Sequence, residues 1–133
     1  MPYLNLCISL PESAEVERKI VDVLMKHTSN ILGKQAEVTS IKVDFVAPDK
    51  WFVGGVPMRD QGGVTFYLDI KVTDGTNKKS EKAEYIKNVF ADLGVLLGPI
   101  TAASYIVIHD VRADAWGFQG QTQEFRYIKS QAL

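Results

Sequence analysis

The chain has 133 residues, 46% of them hydrophobic, which suits one domain with a real core. Its 15 basic residues against 16 acidic ones leave no surplus for a nucleic-acid surface or an acidic membrane. Cys7 is the only cysteine and there are 2 histidines, so neither an internal disulfide nor a zinc cluster is expected. That usage suits a reducing cytoplasm. A basic region with an apolar run and cleavage site is missing at the amino terminus, so a signal peptide is not expected. No apolar run approaches the roughly 20 residues that span a bilayer.

Over residues 4–10, Leu4, Leu6, Ile8 and Leu10 alternate with Asn5, Cys7 and Ser9, the period of a strand with one buried face. Pro11 ends it. From Ser13 the period lengthens: Val16, Ile20, Val23, Leu24, His27 and Ile31 share one helix face, with Gly33 as the stop. Ile41, Val43 and Phe45 form a second strand, broken at Pro48. Gly54-Gly55 predicts a short hairpin around residues 50–57. Phe66, Leu68, Ile70 and Val72 alternate as a third strand, and Asp74-Gly75 turns the chain. Ala83, Ile86, Phe90, Leu93 and Leu97 mark a second amphipathic helix, ending at Gly98-Pro99. Residues 103–111 make the last strand. Residues 121–133 carry no decisive pattern; they either extend a neighbour's sheet or hang loose.

The plan repeats, and so do residues. VAPDKWFVGG at 46–55 aligns with VRADAWGFQG at 111–120, 65 positions on, matching Val46, Asp49, Trp51 and Gly55 to Val111, Asp114, Trp116 and Gly120. Leu32-Gly33 and Leu97-Gly98 keep the same spacing. An internal duplication follows, with halves near 1–62 and 63–133 of a single domain. Right-handed crossovers make each half's strands parallel and put both helices on one sheet face. The fold class is α+β: two β-α-β repeats forming a four-stranded sheet with two helices on one face. The other face needs a cover, and self-association is the simple one.

Several segments resemble the tautomerase superfamily, which includes 4-oxalocrotonate tautomerase, macrophage migration inhibitory factor and cis-3-chloroacrylic acid dehalogenase. They are the opening MPYLNLCISLP, ILGK at 31–34, TSIKV at 39–43, KWFVGG at 50–55 and IVIHDVRADAWGFQG at 106–120. The likeness covers nearly the whole chain, and the length matches members whose two halves are fused. It implies a cofactor-independent keto-enol tautomerase that needs no metal, and a homotrimer with small-molecule sites between subunits. Pro2 is the implied general base, once Met1 is removed and its nitrogen is a free secondary amine. An apolar pocket and nearby cations lower an amine's pKa and keep it unprotonated near neutral pH.

The same resemblance implies further residues. Lys34 takes the place of a pocket lysine that binds a carboxylate. Lys42 replaces a carboxylate-binding arginine, keeping the charge but losing the bidentate fork; in a fused chain it serves either pocket. Tyr105 matches a tyrosine donated by an adjacent subunit to the substrate oxygen. Trp51 and Trp116 match an aromatic wall that desolvates the proline, or else cover a subunit interface. His27, on the apolar helix face, reads better as a satisfied semi-buried histidine than as a base. His109 and Asp110 are strand neighbours and point to opposite faces. Arg112 and Arg126 are the only late arginines available to an anionic ligand, with plain surface positions as the alternative. Glu12, Thr73, Thr76 and Val107 depart from the expected pattern and leave a cation-poor pocket. Dehalogenation is therefore disfavoured, and a monoanionic enolisable keto acid fits better.

Two other readings compete. One is a non-catalytic trimeric binding protein on the same scaffold. The other is a different duplicated α+β fold in which Pro2 is incidental.

Overall fold

The computed structural model describes residues 1–131. Strand β1 (Tyr3–Ile8) leads into helix α1 (Ala14–Asn30), and strand β2 (Ser40–Phe45) follows. A turn at Pro48–Lys50 and a small hairpin, β3 (Phe52–Val53) and β4 (Val56–Pro57), close the first half. The second half has β5 (Phe66–Thr73), α2 (Lys79–Leu97), β6 (Tyr105–Val111), a turn at Ala113–Ala115, and the hairpin β7 (Gly117–Phe118) with β8 (Gln121–Thr122). Both turns and both hairpins keep the 65-residue spacing of the sequence repeat.

The main sheet runs β2-β1-β5-β6. Each half contributes a parallel pair, β1 with β2 and β5 with β6, and the halves join through the antiparallel pair β1–β5. Leu6 faces Leu68 at that seam, and Leu4 faces Ile70. Leu4, Leu6 and Ile8 point to the helices with Phe66, Leu68, Ile70 and Val72, all essentially without exposure. The period-2 pattern therefore places the core as expected.

Ser13 caps α1 through its Oγ, which accepts from the Val16 N–H at 3.3 Å. Glu15 and Glu17 in that first turn suit the helix dipole. The helix ends at Asn30, and Gly33, at φ 67°, turns the chain after it. Ile20, Leu24 and His27 are buried as the periodicity predicts, with Thr28 beside them.

The face of α2 differs from the expectation. Tyr85, Val89 and Leu93 are buried, while Ala83, Ile86 and Phe90 are exposed. The tyrosine can go inside because its hydroxyl meets Thr28 Oγ1 at 3.0 Å. Burial pushes its pKa up to about 12. Phe90 packs at the rim, its ring centroid 6.0 Å from that of Phe66.

The uncovered sheet face carries the opposite, largely polar set: Asn5 and Cys7 on β1, Lys42 and Asp44 on β2, Asp69 and Lys71 on β5, His109 on β6. Lys42 lies 3.6 Å from Asp44 and Lys71 lies 3.7 Å from Asp69. His109 touches Asp69 without the alignment of a hydrogen bond, and Asn5 Oδ1 is buried without a partner among the described residues. This face is no simple apolar patch.

The tail expected to be loose or sheet-like is instead helix α3 (Gln123–Gln131). Thr122 starts it: its Oγ1 accepts from the Phe125 N–H at 2.9 Å. Ala132 and Leu133, the end of that tail, lie outside the described residues.

Candidate functional site

Strand directions decide which residues share an end of the sheet. Tyr3 is level with Ser40 on β2 and with Lys71 on β5, so the start of β1 lies beside the exit of β5. Val111, at the exit of β6, pairs with Thr73. The first residues, the segment after α1, the loop after β5 and the turn after β6 therefore converge. They enclose a cleft of about 700 Å³. Met1, Lys34 and Gln35 line one side, Thr73 to Thr76 a second, and Glu124 and Tyr127 of α3 the third.

Pro2 is buried behind Met1 and does not itself line the cleft; its carbonyl accepts from the Ser40 N–H at 3.1 Å. With Met1 attached, its nitrogen is an amide. The terminal amine is that of Met1, held below its ordinary pKa first by burial, then by the charges of Lys34 and Arg126.

Lys34 is positioned by its backbone and by its tip. Its N–H donates to the Thr28 carbonyl at 3.2 Å, and its Nζ donates to Thr76 Oγ1 at 2.8 Å. Burial lowers its pKa, against the opposing pull of Glu81 and Asp110. Asn77 ties the two loops together by donating to the Leu32 carbonyl at 2.9 Å. Thr73 and Thr76, read as departures from an arginine pair, do face the cleft.

Trp116 stands half-buried in the turn beside the cleft, and its carbonyl accepts from the Gln123 N–H at 2.8 Å. Within this one chain the remaining candidates lie elsewhere. Lys42 sits along the edge strand β2, opposite Asn5. Tyr105 pairs with Tyr67, which is level with Cys7 near the far end of β1. Trp51 follows β2 beyond that same far end.

The other early readings divide similarly. His27 is satisfied by Asp92. His109 contacts Asp69 and Asp110 contacts Lys82, so the two form no dyad. Arg112 is a surface residue, bound to Asp114 at 2.8 Å. Arg126 is not: it is partly buried, with Nη1 4.0 Å from Met1 Sδ.

Glu124 and Tyr127 are not expected at a site from the sequence, because residues 121–133 show no decisive periodicity. The usable signal was Thr122 as an N-cap ahead of Glu124, followed by Phe125 and Ile128 at helical spacing.

The pseudo-equivalent position in the second half is Val64. Its carbonyl accepts from Thr101 N–H at 2.9 Å, much as that of Pro2 accepts from Ser40. Here the backbone is closed. A Cβ on Gly63 would stand 2.6 Å from the Pro99 oxygen, and the hydroxyls of Ser9, Thr65 and Ser104 fill the adjoining space.

This architecture is the fold seen in solved fused 4-OT and macrophage migration inhibitory factor-like structures. A fused 4-OT solved as an asymmetric trimer superposes with a TM-score of 0.82 at 16% identity, covering 93% of this chain and 98% of that one. Pt0534, solved after inactivation by 2-oxo-3-pentynoate, also reaches 0.82, at 10% identity over 93% of this chain and 98% of its own. A macrophage migration inhibitory factor homologue from Prochlorococcus marinus reaches 0.72, at 23% identity over 90% of this chain and 97% of its own. No protein-family model and no curated protein matches the sequence.

Proposed function

We propose that the protein is a cofactor-independent keto-enol tautomerase acting on a small monoanionic keto acid, with Pro2 as general base after Met1 is removed. The observation that carries this reading is the position of the chain start. It opens into a cleft where a terminal amine is depressed by burial and by two cations. A proline amine left there by methionine removal would face the same two cations, which favour its neutral form. It takes the enol O–H proton, and the resulting ammonium returns a proton to carbon. Lys34 would hold the substrate carboxylate, and Trp116 would shield the site.

The solved fused 4-OT neighbours are trimers, and a homotrimer is proposed here as well. It would explain how Tyr105 and Trp51, distant from their own chain's cleft, serve a site: the partner subunit's Tyr105 would meet the developing oxyanion. Lys42 remains a candidate for the same interface. The single cysteine suits a cytoplasmic location.

One observation favours a second reading. Thr73 and Thr76 line the cleft where an arginine pair was expected, which favours a non-catalytic trimeric binding protein; if Met1 is retained the Pro2 nitrogen is acylated and the cleft lacks its base. Intact mass of natively expressed protein separates the two. On trimmed protein, ketonisation of phenylenolpyruvate should fall about 100- to 10,000-fold in Pro2→Ala, the usual range for general-base loss. Equal rates in both proteins, or a retained Met1, would sink the enzymatic reading.

A further inference from the structure

Two carboxylates of the cleft differ from the acidic side chains around it. Asp114 accepts from both Nε and Nη2 of Arg112, at 3.0 and 2.8 Å. Asp110 is bound to Lys82, and Glu81 accepts from the Lys78 N–H at 2.7 Å. Asp74 and Glu124 line the cleft, and neither has a cation within ion-pair distance among the described residues. Arg112 feels both charges, but its fork is taken by Asp114. The backbone fixes where the two stand. The Asp74 N–H donates to the Val111 carbonyl at 2.7 Å, which ties the loop after β5 to the end of β6. Glu124 sits in the first turn of α3, whose start is held by the Gln123 N–H on the Trp116 carbonyl and by the Thr122 cap. The charges that act on the terminal amine are those of Lys34 and Arg126. The cleft is therefore polarised, cationic at the chain start and anionic along the wall of Asp74 and Glu124.

We propose that Asp74 and Glu124 set the charge selectivity of the cleft, admitting 2-oxo acids with an uncharged tail and disfavouring those whose tail ends in a second carboxylate. The inference rests on the functional reading above and deepens it by naming the residues that choose among substrates. A small acid with its reacting carbon at the chain start directs its other end across a cleft of about 700 Å³, toward the acidic wall. An apolar or aromatic tail meets Tyr127, which lines the cleft one turn along α3 from Glu124. A terminal carboxylate meets two like charges that no cation is paired with, and repulsion separates ligands of the same shape as effectively as attraction does. Both carboxylates are exposed, so solvent and salt screen them and the selectivity is of moderate size.

Calorimetric binding to Met1-trimmed protein tests this without requiring turnover. The probes are 2-oxohexanoate and 2-oxoadipate, which share a chain length and differ in ending on a methyl or a carboxylate. Wild type should prefer 2-oxohexanoate. In the double variant Asp74→Asn with Glu124→Gln, checked for folding by circular dichroism, that preference should shrink about 3- to 30-fold, the range for two screened like-charge contacts. The change should come from tighter 2-oxoadipate binding, with 2-oxohexanoate affinity unaltered, and each single variant should fall between. It should be largest near 0.01 M salt and nearly vanish at 1 M, as the Debye length falls from about 30 Å to about 3 Å. A packing defect would alter both ligands and ignore salt. An unchanged preference, equal changes for both acids, a change that salt does not touch, or no binding of 2-oxohexanoate by wild type would each overturn the proposal. Wild type that discriminates through these carboxylates but turns over no enol would leave it standing and remove the tautomerase reading instead.

Discussion

His27 and Asp92 occupy the same position in the two repeats, 65 residues apart, and their side chains meet, with Nε2 2.5 Å from Oδ2. The contact joins α1 to α2 across the pseudo-twofold relation of the halves. His27 is only 7% exposed, so its ring is committed to this bond and unavailable as a base. Removing the acceptor leaves a nearly buried imidazole short of a partner. Asp92→Ala is expected to cost about 1–2 kcal/mol in urea unfolding, and the double variant with His27→Ala should cost less than the sum of the singles. Strict additivity would mean that the two side chains are not coupled.

Lys34 sets the sign of a pH effect. Its positive charge disfavours a second cation at the chain start, so it contributes to holding the terminal amine below its ordinary pKa. In Lys34→Ala that contribution is gone and the amine pKa rises. Catalysis by the neutral amine then needs a higher pH. The acid limb of kcat/KM for trimmed protein should move upward in Lys34→Ala and stay near wild type in Lys34→Arg, measured as a pH–rate profile. A downward move would contradict the arrangement.

Tyr105 and Pro2 lie at opposite ends of one sheet, so a shared site must draw them from two subunits. Pro2→Ala and Tyr105→Phe should each lose activity alone. Unfolded together and reassembled, they should regain it, because some sites then pair an intact Pro2 with an intact Tyr105. Continued inactivity of the reassembled mixed oligomer would count against Tyr105 as a shared-site residue.

Gln119 has φ 53°, the one non-glycine residue with positive φ among the described residues, where the first repeat has Gly54 at φ 63°. Left-handed backbone costs a residue with a Cβ about 1–2 kcal/mol, partly offset by glycine's greater freedom when unfolded. Gln119→Gly should therefore raise stability by about 0.5–1 kcal/mol in thermal or urea unfolding, with the hairpin unchanged. A destabilised variant would show that the Gln119 side chain makes a compensating contact.

Local chemistry by itself determined most of the architecture. Alternation in β1 and β5 assigned their inward faces because a period of two leaves only one buried side. Gly54-Gly55 marked the first hairpin, and the second, which was not expected, lies at the matching position 65 residues on. Pro2 stood out because a proline nitrogen has one chemistry as an amide and another as a terminal amine. Two features depended on distant partners, and no window of sequence contains those. The buried face of α2 turned on Thr28, 57 positions before Tyr85, which gives the hydroxyl its partner. Arg126 and Arg112 were equal candidates for an anion until the fold paired Arg112 with Asp114 and brought α3 beside Met1, leaving the Arg126 guanidinium facing a thioether. Hydrogen-bond satisfaction and burial are properties of the assembled neighbourhood, so they could be read only after the chain had closed on itself.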